Sequence, residues 1–173
     1  MRPHLFREIE RMTEGHFYFL SDQYFSNFSD SKLMSNKETA KGISHDRPCF
    51  CAFQDGKSGI FWLIPISSQI QKFRCIYQNK VNKYGRCDTI DFGYVLGHQK
   101  AFLLQNMCPA TDKYIKNEYF DPVHMNPVML DGAFERQLIQ KVRKVLALQR
   151  KGIPLIFPDV FSIESKLLAE SDR

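Results

Sequence analysis

This 173-residue sequence has few features of a membrane or secreted protein. No run approaches the roughly 20 apolar residues of a membrane span, and the start MRPHLFREIER has no hydrophobic signal region. We therefore expect a cytoplasmic protein that does not enter a membrane. The length favours one domain over residues 1–173, in which residues 1–14 form a polar helix that is either part of the core or a peripheral extension.

The cysteines are also too irregular for a disulfide framework or a zinc site. There are five, with no CxxC pair: Cys49, Cys51, Cys75, Cys87 and Cys108. This pattern is typical of reduced thiols. The histidines available to join them are His16, His45, His98 and His124. None has the spacing of zinc ligands, so we predict no metal and no cofactor.

Acidic residues are nearly missing from two stretches that are predicted to be helical, although the net charge is only +5. The stretch Gln69–Arg86 has no acid and five cations: Lys72, Arg74, Lys80, Lys83 and Arg86. The stretch Gly132–Lys151 has the acid Glu135 and six cations: Arg136, Lys141, Arg143, Lys144, Arg150 and Lys151. Such stretches favour a polyanionic partner, although they are also typical of a solvated helix face.

Apolar periodicity predicts an α+β fold. The predicted strands are His16–Leu20, Pro48–Gln54, Gly59–Ser67, Thr89–Tyr94, Ala101–Met107 ending before Pro109, and an irregular one near Lys113–Tyr119. The predicted helices are a turn after Ser21, Gln69–Tyr84, a long helix from Asp131 to Gly152, and a short one after Asp159. The polar segment 29–47 has no period and is predicted to be a long loop. This order favours a small antiparallel barrel or curled sheet with inserted helices.

Two serines stand where a strand becomes a helix, in IPISSQIQKF (Ile64–Phe73). Ser68 and Gln71 fit a capping box, in which each side chain binds a backbone N–H at the helix start. A helix start also offers free N–H groups and the positive end of its dipole to an anion. Ser67, Ser68 and Lys72 are therefore predicted to cap the helix, to surround a phosphate, or to do both.

Arg47 and His45 lie upstream, where the polar segment enters the strand PCFCAFQ. If this strand pairs antiparallel with the strand carrying Ile64 and Pro65, Arg47 reaches the serine corner. An arginine beside a strand is also typical of a surface ion pair. His45 is either a solvated loop residue or a general base.

Six segments together resemble a known family: HFYFLSDQYF, HDRPCFCAFQD, WLIPISSQIQKF, CDTI, KAFLLQNMCPATDKYI and KVLALQRKG. They span residues 16 to 160 and are similar to the CptN branch of the type III toxin–antitoxin ribonucleases, relatives of the ToxN and AbiQ toxins. The resemblance implies a compact antiparallel SH3-like β-barrel, similar to the Kid and MazF toxins, with inserted and C-terminal helices.

The same resemblance implies an endoribonuclease toxin with an RNA antitoxin. The implied partners are a small folded repeat-unit RNA, expected to be a pseudoknot, in a multi-subunit protein–RNA assembly, and cellular or phage RNA as substrate. In that family a hydroxyl pair, a basic residue opening the preceding strand and a nearby lysine form the active centre. These roles fall on Ser67, Ser68, Arg47 and Lys72. Arg47 stands where several relatives carry lysine, and Lys72 lies a residue or two later than the family pattern.

Such a site needs only to align an RNA 2′-hydroxyl with its phosphorus and to stabilise the developing charge. We therefore predict metal-independent cleavage that leaves a 2′,3′-cyclic phosphate. Ser67 would contact the phosphate or relay the 2′ proton, and His45 is the candidate general base. The predicted RNA-binding residues are the aromatic platforms Tyr18 and Tyr84 and the helix cations Lys80, Lys83, Arg86, Lys141, Arg143, Lys144, Arg150 and Lys151.

Two other functions stay open from the sequence. A non-catalytic RNA-binding module would use the same basic helices, with the serines only as caps. A small hydrolase would use Cys108 or Ser67 as its nucleophile, but the sequence offers no recognisable histidine and acid beside either.

Overall fold

A computed structural model describes residues 11–172 as an antiparallel sheet with helices packed on it. The strands are β1 (Phe17–Leu20), β2 (Lys37–Ala40), β3 (Ile43–Asp46), β4 (Cys49–Gln54), β5 (Phe61–Ser67), β6 (Ile90–Val95), β7 (His98–Leu103), β8 (Cys108–Ala110) and β9 (Ile115–Glu118). The helices are α1 (Asp22–Asn27), α2 (Ile70–Tyr84), α3 (Gly132–Arg150) and α4 (Val160–Ser171). The mixed α and β composition and the antiparallel sheet are confirmed.

The main sheet has the order β6-β7-β5-β4-β1-β9, and β8 also pairs with β5. All of these pairs are antiparallel. Within residues 11–172 this order has two ends, β6 and β9, and the sheet does not close on itself, so the predicted SH3-like barrel is not confirmed. Strand β7 pairs with β5 at Ile66 and Ser67, the end of that strand.

Strand β5 is the centre of the core, and all seven of its residues are buried. Aromatic and branched apolar side chains follow one another along it, as in strands that are covered on both faces. Strand β4 pairs along one edge of β5. The other edge is shared: β8 pairs with Phe61–Leu63 and β7 with Ile66 and Ser67.

Pro65 lies beside the gap between β7 and β8. Ile66 donates its N–H to the Pro48 carbonyl on the β4 side, at 3.3 Å. Since successive residues alternate, the nitrogen of Pro65 faces the opposite edge, where no strand pairs with it. The strand predicted at Ala101–Met107 is confirmed as far as Leu103, the end of β7, and is wrong beyond it, because the chain makes a 3-10 turn at Leu104–Asn106 before β8 begins.

The predicted loop at 29–47 is confirmed as far as residue 36 and is wrong beyond it, where the chain forms the β2–β3 hairpin. Lys41 and Gly42 have φ values of 52° and 76° at its turn, as a two-residue hairpin with two left-handed residues requires. Strands β2 and β3 were not predicted because apolar and polar residues do not alternate along them. Glu38 is buried while Lys37 and Thr39 beside it are exposed.

The predicted start of α3 and the predicted end of α2 are confirmed. Asp131 accepts a hydrogen bond from the Phe134 N–H and caps α3, and Gly85 ends α2 in the left-handed conformation. Residues 1–10 of the helix predicted at 1–14 lie outside the described residues, and residues 11–14 are not helical, although Met12 is buried. In the described part of the chain, no helix is long and apolar enough to cross a membrane.

Helix α3 packs closely on the sheet at Gly93 of β6. A Cβ placed on Gly93 would overlap the ring of Phe134. Gly93 is paired with Lys100 of β7, and the absence of a side chain at Gly93 leaves room for the Phe134 ring of α3.

Gly93→Ala should lower the free energy of unfolding by about 1–3 kcal/mol, because the added methyl group overpacks the contact with Phe134. Urea denaturation measures this change. The double variant Gly93→Ala/Phe134→Leu should lose less than the sum of the two single variants, since the smaller side chain makes room. Additive losses would contradict this packing.

Candidate functional site

The serine corner is held by side chains and not by a capping box. Ser67 Oγ accepts the N–H of Gln69 at 3.1 Å and donates to Glu38 Oε1 at 3.0 Å. Ser68 Oγ accepts a hydrogen bond from Lys100 Nζ at 2.6 Å. The cap position of α2 is Gln69, which makes no side-chain cap hydrogen bond. The predicted Ser68–Gln71 capping box is therefore wrong, because Lys100 engages the hydroxyl.

Glu38 of β2 places a carboxylate at the position where the sequence predicted a phosphate. Its Oε1 accepts from Ser67 Oγ and from the Ser68 N–H at 2.9 Å, and its Oε2 accepts from Arg47 Nη1 at 3.0 Å. Glu38 is only 4% exposed. The protein's own acid thus binds the Ser67 hydroxyl and the Ser68 N–H, directly before the cap of α2.

Arg47 is buried and reaches the serine corner through Glu38. Its Nε donates to the Ser35 carbonyl at 2.8 Å, and its Nη1 donates to the Ile66 carbonyl at 2.9 Å. The guanidinium therefore joins β5 to the segment that leads into β2. Sequence reasoning correctly brought Arg47 near Ser67, but both side chains face inward, since Ser67 is 1% and Arg47 is 7% exposed.

A cavity of about 270 Å³ opens beside this corner. Its polar lining residues are Glu38, His45, Asp46, Ser68 and Lys100. Its remaining lining residues are Phe19, Pro48, Ile66, Val95 and Tyr119. A pocket with one apolar wall and a few convergent polar groups is the usual form of a small-ligand or substrate site.

Ser68, Lys100, His45 and the phenol of Tyr119 carry exchangeable hydrogens in the cavity. His45 stands opposite Glu38 in the hairpin register and is exposed. The Ser68 hydroxyl accepts from Lys100, which leaves its own hydrogen available to an acceptor in the cavity. The ammonium group of Lys100 also keeps further N–H donors. This arrangement can hold an anionic group and can exchange protons with it.

A solved structure shares this fold. It is that of AbiQ, described as a lactococcal anti-phage endoribonuclease belonging to the type III toxin–antitoxin system. The likeness has a TM-score of 0.64 and covers 91% of this chain and 98% of AbiQ, at 15% identity. No family model and no curated protein matches the sequence. The likeness to AbiQ shows the fold, and the function has to be argued from the site.

Several of the predicted site residues do not line this cavity of the AbiQ-like fold. Lys72 is exposed, and its Nζ lies 5.3 Å from the centre of the Phe73 ring. Tyr18 is 1% exposed, and its hydroxyl accepts the Thr13 N–H at 2.7 Å. Tyr18 therefore belongs to the core, and its prediction as an exposed stacking platform is wrong. Tyr84, the other predicted platform, is 67% exposed.

Helix α3 and Arg86, which follows α2, carry less free charge than the sequence suggested. The paired cations are Arg86 with Asp88, Lys141 with Asp91, Lys144 with Asp88, and Arg150 with Asp55 and Glu164. The cations that lie over aromatic rings are Lys80 at Phe157, Lys83 at Tyr84, and Arg143 at Phe53. Lys151 is exposed. Acids from other parts of the chain reach α3, so counting charge along that segment overstated its positive face.

The covalent hydrolase that stayed open from the sequence is disfavoured. Cys108 is buried, and this burial raises the pKa of its thiol to about 12. The reactive thiolate is then almost absent at neutral pH. Within residues 11–172, no three His, Cys, Asp or Glu side chains are grouped to hold a metal ion.

Sequence reasoning missed Glu38 and Lys100. Glu38 lay in the segment taken for a loop, where the Lys41–Gly42 turn signal was the available evidence of a hairpin. Lys100 is the first residue of KAFLLQNMCPATDKYI, one of the segments that resemble the family. Its approach to Ser68 depends on the pairing of β7 with the end of β5. No local pattern contains that contact.

Glu38→Ala should lower the free energy of unfolding by about 3–5 kcal/mol, because it leaves the buried Arg47 charge without a carboxylate. The double variant Glu38→Ala/Arg47→Met should lose clearly less than the sum of its single variants. Urea denaturation of all four proteins measures the coupling.

Asp46→Ala is the matched control on the same hairpin. Asp46 pairs with Lys116 in a largely exposed ion pair. We expect a loss within about 1 kcal/mol. Equal losses for Glu38→Ala and Asp46→Ala would contradict the role assigned to Glu38.

Proposed function

We propose that this protein is an endoribonuclease, the toxin of a type III toxin–antitoxin system. One observation carries the proposal: the Ser68 hydroxyl and the Lys100 ammonium meet, beside His45, in a cavity with an aromatic wall. The likeness of the fold to AbiQ supports the choice of RNA as the substrate. Cleavage of a nucleotide chain needs a group that binds the phosphate, a proton acceptor and an aromatic surface for a base. The cavity offers all three.

The reaction that suits this site is transesterification by the RNA itself. The 2′-oxygen attacks the adjacent phosphorus, so the O2′–P bond forms and the P–O5′ bond breaks. The products are a 2′,3′-cyclic phosphate and a 5′-hydroxyl. The protein contributes positioning and charge stabilisation, and no metal is required by this chemistry.

Ser68 and Lys100 are the groups that we assign to the phosphate. Ser68 donates to a non-bridging oxygen, and Lys100 neutralises the charge that develops on the pentacovalent phosphorus and the leaving oxygen. His45, the exposed imidazole of the cavity, accepts the 2′ proton, while water returns a proton to the 5′-oxygen. Phe19 and Tyr119, whose ring centres are 5.3 Å apart, supply a wall for a base.

Ser67, Arg47 and Glu38 act as positioning residues in this proposal. Ser67 and Arg47 are too buried to touch a substrate, and both donate to Glu38. Glu38 in turn accepts the Ser68 N–H and stands opposite His45 in the hairpin. The three residues therefore set the distance between Ser68 and His45.

The antitoxin in this proposal is a small folded repeat-unit RNA that covers the cavity and blocks the substrate. Exposed cations outside the cavity, including Lys72, Lys83 and Lys151, would meet its phosphates. Cellular or phage RNA is the substrate when this RNA is absent. Short tandem repeats directly upstream of the coding sequence would identify the antitoxin.

A non-catalytic RNA-binding module is the second candidate. Burial of Ser67 and Arg47 favours it, because two residues of the predicted active centre then serve the fold. An end-labelled RNA incubated with pure protein and EDTA separates the two candidates. The enzyme yields fragments with cyclic-phosphate ends, and the binding module yields none.

Lys100→Met should lower the cleavage rate by about 10²–10³-fold, because it removes the cation nearest to the phosphate position. Lys72→Met is the matched comparison and should change the rate far less, since Lys72 does not line the cavity. The rate of cyclic-phosphate formation and the melting temperature are measured on the same preparations. Undiminished cleavage by a folded Lys100→Met protein would contradict the assignment of Lys100 to the phosphate.

Ser67→Ala should cost about 1 kcal/mol of stability, since it removes a hydroxyl with two buried hydrogen bonds. Cleavage should fall less than in Lys100→Met, because Ser67 acts through Glu38. A loss of cleavage as large as that of Lys100→Met, with an unchanged melting temperature, would instead place Ser67 at the phosphate.

A further inference from the structure

A second cleft, of about 350 Å³, lies at the C-terminal end of α2. The residues that matter in it are Lys80, Tyr84, Arg86, Asp88, Thr89 and Phe157. The candidate active site lies at the opposite end of this helix. At 1.5 Å per residue, α2 separates the two by about 20 Å. None of these residues lines the cavity described above.

Two aromatic rings in this cleft face solvent. Tyr84 is 67% exposed and Phe157 is 52% exposed. Lys83 Nζ lies 5.1 Å from the Tyr84 ring centre, and Lys80 Nζ lies 5.6 Å from that of Phe157. Exposed rings with cations beside them are suited to stack on a flat, anionic ligand.

Lys80 is a half-buried cation without an acidic partner. It donates to Thr89 Oγ1 and to Gln105 Oε1, both at 2.8 Å and both neutral. Among the described residues it forms no ion pair. Since an ammonium group has three N–H donors, one is left for a further acceptor in the cleft.

The remaining charges of the cleft leave it positive. Asp88 is the acid that lines it, and Asp88 binds Arg86 at 3.0 Å and Lys144 at 3.5 Å. One carboxylate therefore stands among three cations when Lys80 is included. The guanidinium of Arg86 is 67% exposed and keeps N–H groups beyond the one that contacts Asp88.

We propose that this cleft binds an unpaired nucleotide of RNA. The base stacks on Tyr84 and Phe157, and Lys80 and Arg86 bind its phosphate. The choice of RNA over a free nucleotide rests on the proposed function, in which a folded RNA covers the protein. One RNA molecule that filled both the cavity and this cleft would span α2.

The test is the binding of a fluorescein-labelled 2′-O-methyl trinucleotide to the full chain. This probe has no 2′-hydroxyl nucleophile, so binding is measured whether or not the protein cleaves RNA. We expect Tyr84→Ala and Phe157→Ala each to raise the Kd about tenfold, as the loss of one stacked base does. Lys80→Met should also weaken binding, and more so at low salt.

Tyr94→Ala and Lys166→Met are the matched controls. Tyr94 is 65% exposed on β6 and Lys166 is exposed on α4, and neither lines the cleft. Both should leave the Kd unchanged. Melting temperatures confirm that each variant is folded, and cross-linking of a 4-thiouridine probe followed by peptide mapping locates the contact independently of any substitution.

The outcomes separate this cleft from the proposed activity. Cross-links at Tyr84 or Phe157 together with weaker binding of their variants support the cleft, even if no RNA is cleaved. Unchanged binding in all three cleft variants, with cross-links elsewhere, overturns it. Binding of AMP as tight as that of the trinucleotide would overturn the RNA assignment and make the cleft a mononucleotide site. A protein that binds the probe in the cleft but gives no cyclic-phosphate ends refutes the proposed activity alone.

Discussion

The buried carboxylate of Glu38 lies where β5, α2 and the β2–β3 hairpin meet, and the shape of the candidate site depends on it. Ser67 and Arg47 donate to it from two sides, and the Ser68 N–H completes its shell. A charge taken out of water is tolerated only when it is paired and hydrogen-bonded, which this carboxylate is. The same contacts hold a hairpin that lies outside the main sheet, and so they hold His45 as well.

The central strand and the long helices could be predicted from the sequence because their signals are local. The apolar run ending at Ser67 has one reasonable interpretation, a buried strand. Asp131 and Gly85 are ordinary signals for the start and end of a helix. The β2–β3 hairpin could not be found in the same way, because a single buried residue, Glu38, creates no periodicity. The open sheet follows from strand offsets that no local pattern encodes.

The candidate site was predictable only in part, for a related reason. Ser67, Ser68, Arg47 and His45 meet at one corner because the pairing of β4 with β5 and of β2 with β3 brings them there. Lys100 comes from β7, and its approach to Ser68 depends on the strand order of the whole sheet. Lys72, which stands a residue or two later than in the family pattern, lies over Phe73 instead. The serine pair therefore identified the corner, but the sequence position of Lys72 did not identify Lys100, the cation that lies there.

Helix α2 links the two sites at a fixed distance and also at a fixed angle. Each residue of an α-helix advances the chain by about 1.5 Å and turns it by about 100°. Inserting one residue between Ile70 and Tyr84 would swing the exposed ring to another side of the protein while barely changing the separation. Insertions or deletions in this segment would therefore keep both ends in phase only in steps of three or four residues, close to whole turns. The fixed rise and rotation of α2 therefore set the relative orientation of the cavity and the aromatic cleft.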